Sequence, residues 1–423
     1  MATVSRELPL QPHLDVPKRE ARTLLAAFQA GEVDALGRVR NRHPRFQDPD
    51  DDARAKSPFK LADAQLVVAR EYGFSSWPEL KRRVLARDAA HQLQAAMQAN
   101  DRATVVALLR RNPELLHVPL WSGNWGPPMS HAANLGRLEI VQAIHELGAR
   151  DHQHAFDRAL LQGRIDCARW LQEHGAQLVP GIVLGVCETL NAAGFRFLSD
   201  CGAPLTDGQG DRAAPLALTL QTYARNPAGK HAILAGFEQQ GHFFPDTPIC
   251  ALHRGDLPRL REHLQRDPRL LNRRFALHEI YPAELGCTHD GRSGMHWTPI
   301  DGGTLLHLAI DFQEPAIIEW LLAAGADANA RATVDSEGFG GHTPLFNAVV
   351  NGTERDAAAT QALLKRGALT DIRANLRKFL DWRDEPGWHV AREVTPLEWA
   401  RSFPDRSWVN VPALQVLESR SAT

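Results

Sequence analysis

The chain has 423 residues, with 48 Lys plus Arg against 50 Asp plus Glu and a formal net charge of -2, a balance that lacks the cationic footprint of a nucleic-acid binder and leaves no nucleic-acid partner to expect. Its five dispersed cysteines (Cys167, Cys187, Cys201, Cys250, Cys287) contain no CxxC pair and are odd in number, which excludes a secreted disulfide framework. No apolar run has bilayer-spanning length, and Arg6 and Glu7 stand where a signal peptide would need apolar residues, so a cytoplasmic protein without a membrane partner is expected.

In chain order, residues up to Lys18 read as extended, because Pro9, Pro12 and Pro17 disfavour helix. Leu24, Leu25 and Phe28, then Val33, Leu36 and Val39, mark two short amphipathic helices broken at Gly31. An acidic loop at 48–52 follows. Residues 61–74 form a helix ending at Gly73, and Ser75-Ser76-Trp77-Pro78 opens another with proline in its first turn. The run Lys81, Arg82, Arg83, Arg87 reads as a solvated helix face. A boundary is placed between a segment at 1–87 and an array at 88–423.

Beyond Asp88 helix pairs recur: 90–98 with 104–111, 130–135 with 138–147, 155–162 with 165–174, and 184–193 with 195–200. The last three close on Gly148-Ala149, Gly175-Ala176 and Gly202-Ala203, where glycine supplies a left-handed helix end. A degenerate repeat spans 213–240. Four related fragments then appear: Thr247-Pro248-Ile249, Thr304-Leu305-Leu306-His307-Leu308-Ala309, Thr343-Pro344-Leu345-Phe346-Asn347-Ala348 and Thr395-Pro396-Leu397-Glu398-Trp399-Ala400.

These Thr-Pro-Leu and Leu-x-x-x-Gly-Ala signals, at helix-turn-helix spacing over about 88–417, resemble the ankyrin repeat family. The resemblance implies an all-α fold: an α-solenoid of ankyrin-type helix-turn-helix units with enlarged hairpin fingers, preceded by a small helical module. It also implies that Thr and His of the motif tie neighbouring hairpins together, making His307 structural. Met129-Ser130-His131 and Phe156-Asp157-Arg158 depart from the motif. Residues 20–87 resemble an amino-terminal module found ahead of ankyrin repeats in many bacterial proteins, and no activity follows from that.

An ankyrin repeat is about 33 residues, whereas the interval is 57 from Thr247 to Thr304, 39 from Thr304 to Thr343 and 52 from Thr343 to Thr395. The surplus falls in the fingers, at 272–303, 329–342 and 371–394, which line up on one edge and form the candidate site. Trp121, Trp125, Trp297, Trp382 and Trp388 lie in finger segments, where rigid aromatics either grip a partner or roof the helices beneath. Trp170 and Trp320, each just before a leucine of a second helix, are expected in the core.

The first enlarged finger also carries His278, Glu279, Tyr281, Cys287, His289, Asp290, His296 and Asp301. Cys287 next to Thr288-His289 lacks the separate elements that usually supply a nucleophile and its base. His289 and His296 with Asp290, Asp301 or Asp311 have the donor types for zinc or iron, but their spacing matches no metal signature. No metal, cofactor or catalytic residue is therefore assigned. On the inner face, Asn134, Gln162, His253, Arg254, Asp311, Phe312, Val350 and Asn351 are expected to line a groove. The glycine-rich run Gly338-Phe339-Gly340-Gly341-His342 reads as a finger tip able to hinge over a pocket. No Walker loop or Gly-x-Ser-x-Gly elbow is present.

The reading is an interaction scaffold that binds a protein or peptide through its concave face and aromatic fingers. The binding residues are Trp121, Trp125, His289, Asp290, His296, Trp297, Asp311, Phe312, His342 and Trp388. The alternative, from a different class, is a small-molecule-binding protein or an enzyme of hydrolase or lyase type with a His/Asp/Trp pocket between the fingers.

Overall fold

The structure, a computed structural model, describes residues 6–9, 13–46, 58–120, 124–289, 298–351, 356–380, 387–403 and 406–421. The chain divides into two compact units, Met1–Ala159 with Asp166–Ala176 and Leu160–Ile165 with Gln177–Thr423.

In the first unit, helix Asp15–Gln29 starts earlier than the prolines led us to expect. Pro17 sits in its first turn, where the missing N–H would have no intrahelical partner. Gly31, at φ 77°, separates this helix from Val33–Arg42 as expected. Leu24, Val39, Val67, Val68, Leu80 and Val84 make a common core. Beside it the guanidinium of Arg38 grips Glu71 with two bonds of 2.8 Å. The Ser76 hydroxyl accepts from Glu79 N and caps a single helix, Trp77–Gln98, which runs through the expected boundary at 87/88. Arg102–Arg111 and the pair Pro128–Leu135 with Leu138–Glu146 follow.

The second unit is a succession of helix pairs: Leu184–Glu188 with Ala192–Asp200, Ala213–Gln221 with Pro227–Gln239, Pro248–His253 with Leu257–Arg266, Leu305–Asp311 with Pro315–Ala323, Pro344–Val349 with Ala358–Lys365, and Pro396–Ser402 with Val411–Ser421. The repeated Thr-Pro is a helix start signal: the Thr247 hydroxyl accepts from Cys250 N at 3.1 Å, and Thr395 caps Glu398 N. At Thr304 the cap is relayed onward. His307 Nδ1 accepts from Thr304 N at 3.1 Å, and His307 Nε2 lies 3.2 Å from the carbonyl of His342 in the next repeat. Because a carbonyl only accepts, Nε2 carries the proton, and His307 has the tying role that the resemblance implied. Leu305, Leu306, Leu308, Leu321, Leu345, Phe346, Val349, Leu363 and Trp399 fill the core between the pairs.

The fold is mostly helical, with one departure from the all-α expectation. Residues 371–394 contain an antiparallel hairpin, β1 (Ala374–Leu380) and β2 (Gly387–Val394). Its signal was the alternation of Trp388, Val390, Arg392 with His389, Ala391, Glu393, which has the period of a strand.

Two tryptophans expected in the core are only half-buried. Trp170 stacks on His174 at 3.8 Å, and Trp320 lies beneath Arg261. Each is one helical step from the leucine that does face inward, Leu171 or Leu321, and one step turns a side chain by about 100°.

Candidate functional site

The three enlarged fingers are joined to one another by backbone bonds. In the first, Phe275 pairs with Gly303, the two N–H···O bonds to residues 303 and from 302 being 2.9 Å each. Thr333 N of the second finger donates to Gly302 O at 3.0 Å, and Gly340 N donates to Asn375 O of β1 at 2.7 Å. Arg274 Nε reaches Arg331 O at 2.7 Å, and Arg331 Nη2 reaches Arg373 O at 2.6 Å, so side chains follow the same path. Two glycines permit this approach. A Cβ on Gly340, at φ 116°, would lie 2.0 Å from Thr333 O, and one on Gly302, at φ 68°, would lie 2.4 Å from the Thr333 Cβ.

The hairpin displays an aromatic face on this edge. The register pairs Arg377 with Val390 and Phe379 with Trp388, and directly paired residues share a face. Phe379 and Trp388 meet edge to face at 5.4 Å. Trp388 and Val390 are 52% and 48% exposed, a combination that costs solvation and is conspicuous on an ordered strand. Phe339, from the glycine-rich tip, is buried between the guanidinium groups of Arg377 at 4.5 Å and Arg392 at 4.4 Å. Arg377 is in turn fixed by Glu337 at 2.7 Å and Asp335 at 2.9 Å.

A second polar assembly lies inside the second unit. Arg225 donates from Nη2 to Asp311 Oδ2 at 2.8 Å and from Nε to Asp311 O at 2.7 Å. Both side chains are almost wholly buried. His231 pairs with Glu314 at 2.7 Å. Lys230 Nζ lies 2.8 Å from His253 Nδ1 and 4.2 Å from the centre of the Phe312 ring. Cys287 is buried, and burial pushes its thiol up to about 12, which opposes a thiolate nucleophile.

The residues expected to bind are therefore dispersed. Trp388 is exposed on the hairpin face, in contact with Phe379 and with Arg377, whose guanidinium also lies over Phe339. Asp311 and Phe312 belong to the interior assembly instead of a groove surface; Phe312 stacks on His253 at 4.7 Å. His342 is 1% exposed, and burial holds its imidazole down to about 4. His289 is exposed and its Nε2 bonds the carbonyl of Tyr281. Trp125 is half-buried in the first unit, 5.0 Å from His131. Trp121, Asp290, His296 and Trp297 lie outside the described residues, as does Trp382.

The expected inner groove is corrected in the same way: Asn134, His253, Asp311, Phe312, Val350 and Asn351 are buried, and only Gln162 is well exposed. The first enlarged finger accounts for part of this, because it does not stay on the edge. Thr288 exchanges hydrogen bonds with Gln221, and Thr298 Oγ1 lies 3.2 Å from both Phe346 O and Val350 O, so the finger crosses the inner helices. Sequence reasoning missed Arg377, Phe379, Val390 and Arg392, whose signal was the strand alternation, the role of Phe339 in the glycine-rich tip, and Lys230, which sits in the degenerate repeat. Among the described residues no group of His, Cys, Asp and Glu could hold a metal ion, and no helix is long and apolar enough to cross a membrane.

Against known proteins, one stretch of this chain stands out. A family model described as Ankyrin repeat matches residues 301–330. That stretch holds Thr304, His307 and the Gly325-Ala326 closure, so the ankyrin repeat signal and the Thr304–His307 relay coincide. Among solved structures, the crystal structure of the human ASB11 ankyrin repeat domain is similar over 69% of this chain and 97% of its own, with 18% identity and a TM-score of 0.24. No curated protein matches the chain.

Proposed function

We propose that this protein is a scaffold that holds a protein or peptide partner, and that the hairpin face of the second unit is the principal contact. The observation that carries the reading is the cluster of Trp388, Val390 and Phe379 on one strand pair, buttressed by Arg377 and Phe339. Preorganised aromatics of this kind contribute most to association because little side-chain entropy remains to be lost. The lateral bonds between fingers add stiffness, and the Ankyrin repeat match over 301–330 is in keeping with a structure that works by what it holds. The face fits an apolar side chain of the partner flanked by a carboxylate, which would meet the Arg392 guanidinium.

The test is affinity capture with the full chain and its Trp388→Ala/Val390→Ser variant, followed by direct titration of each captured protein. A partner that binds the wild type and loses about 2 kcal/mol or more on the variant supports the reading. Equal affinity for both, with an unchanged melting profile, overturns it.

A further inference from the structure

Among the described residues the sheet of the second unit has two strands, so β2 has β1 as its only strand neighbour and is an edge strand. Which of its backbone groups stay unused follows from β1. The Asn375 carbonyl accepts from Gly340 N at 2.7 Å and the Arg373 carbonyl from Arg331 Nη2 at 2.6 Å, so odd-numbered residues of this stretch direct their backbone groups to the second finger. Successive residues of a strand direct theirs to opposite sides, and Leu376, Lys378 and Leu380 therefore face β2. Their register partners Ala391, His389 and Gly387 take up the inward side of β2. The N–H and C=O of Trp388 and Val390 consequently point away from the sheet. The irregularity in the register leaves this order intact, because the additional residue stands on β2, where Arg392 and Glu393 both lie opposite Asn375.

Edges of this kind are ordinarily blunted by charge, proline or cover. Here the two residues with outward backbone groups also carry the exposed apolar side chains, Trp388 and Val390. The other face of the strand is closed: Ala391 is buried, and His389 packs on Trp399 and Phe403. An added strand would thus meet hydrogen-bonding groups and apolar surface at the same positions. Arg392 sets the charge at one end. It shares the Phe339 ring with Arg377, the register partner of Val390, which places it on the aromatic face. It forms no ion pair among the described residues, since Glu337, which feels its charge, is held by Arg377. An exposed guanidinium in this position matches a carboxylate on the incoming strand.

We infer that β2 takes up an extended segment of a partner protein as a third, antiparallel strand. Read from its amino end, the segment has the order acid-x-apolar-x-apolar, with the acid beside Arg392 and the apolar residues beside Val390 and Trp388. This rests on the scaffold reading above and adds the mode of attachment: main-chain bonds supply the grip, and alternate side chains select the sequence. The bulge at Arg392 and Glu393 ends the regular part of β2 and limits the docked segment to about five residues.

The full chain is panned against phage displaying random short linear peptides, with Trp388→Ala/Val390→Ser as counter-selection, and an enriched peptide is synthesised. It is expected to carry the acid-x-apolar-x-apolar order, to bind the wild type at least tenfold more tightly than the variant, and to lose at least tenfold in affinity when its acid is replaced by lysine. Residue-resolved hydrogen exchange of the wild type reads the geometry, and decides it even if the variant fails to fold. Without peptide, the N–H groups of Trp388 and Val390 are expected to exchange faster than those of His389 and Ala391; with peptide, they are expected to slow at least tenfold. No enrichment over the variant, or binding that leaves those two rates unchanged, overturns the added strand, whereas the scaffold reading is decided separately by the capture of whole proteins. Slow exchange of both groups in the peptide-free chain also overturns it, because the edge is then already occupied, by a second copy or by the chain itself.

Discussion

The indole N–H of Trp399 donates to the hydroxyl of Thr298 at 3.0 Å, across 101 residues of chain. Trp399 is fully buried, and Thr298 contacts the carbonyls of Phe346 and Val350, so one hydroxyl links the first enlarged finger to two inner helices. Thr298→Val keeps the shape but strands the indole N–H, and is expected to destabilise the second unit by about 1–3 kcal/mol. Trp399→Ala, which also opens a cavity, is expected to cost about 3–5 kcal/mol. Urea denaturation, with the first unit's transition as internal reference, measures both.

Gly340→Ala is expected to loosen the finger edge. The added Cβ would meet Thr333 O at 2.0 Å in a backbone region that L-residues avoid. The expected cost is about 2 kcal/mol, with faster hydrogen exchange at residues 332–342 and 374–376 and little change in the first unit. Uniform exchange rates in wild type and variant would show that the lateral bonds carry no stability.

Asp311→Asn leaves the Arg225 guanidinium uncompensated in the interior, where both partners are almost wholly buried. Breaking one partner of such a pair costs about 3–5 kcal/mol. A double replacement, Arg225→Met with Asp311→Leu, is expected to recover much of that loss, which distinguishes an uncompensated charge from lost packing in a thermal melt.

Stability is expected to fall as pH drops below about 6.5. Burial holds His131 and His342 down to about 4 and His307 to about 3. Between those values and the unfolded value the unfolded chain binds more protons, so acid favours unfolding; above the unfolded value the contribution is fully present. Lys230 acts in the opposite range: its folded value is near 7, so the unfolded chain holds the extra proton from there up to its ordinary value, and stability gains as pH rises through that window. Urea midpoints from pH 5 to 9 report both slopes, and His342→Gln should flatten only the acidic one.

Helix pairing was legible because its causes are local. Thr247 and Thr395 cap their own helices, and the glycines after the second helices supply left-handed turns, so short fragments carry the signal. Trp388 was found from residue type and finger position, but its neighbours were not, since the Arg377 guanidinium that lies over its ring also holds Phe339 of another finger, and the pairing with Phe379 depends on strand register. Asp311 and Phe312 were read as groove residues because helical position gives direction and not cover. What covers them, Arg225 on Asp311 and Lys230 and His253 on Phe312, comes from distant parts of the chain and leaves no local pattern. Lys230 escaped notice for the same reason: its partners His253 and Ile280 come from separate elements.

Arrays of repeats can ordinarily be lengthened or shortened by whole modules, because each module contacts only its neighbours through similar faces. The bonds from Gly302 to Thr333 and from Gly340 to Asn375 remove that freedom here. Excising residues 304–342 would bring Asn375 against Gly302, where neither the glycine tip nor the arginine clamp on Phe339 would remain. The part of the chain from Phe275 to Val394 is thus indivisible, and any exchange of segments with another array has to carry it whole.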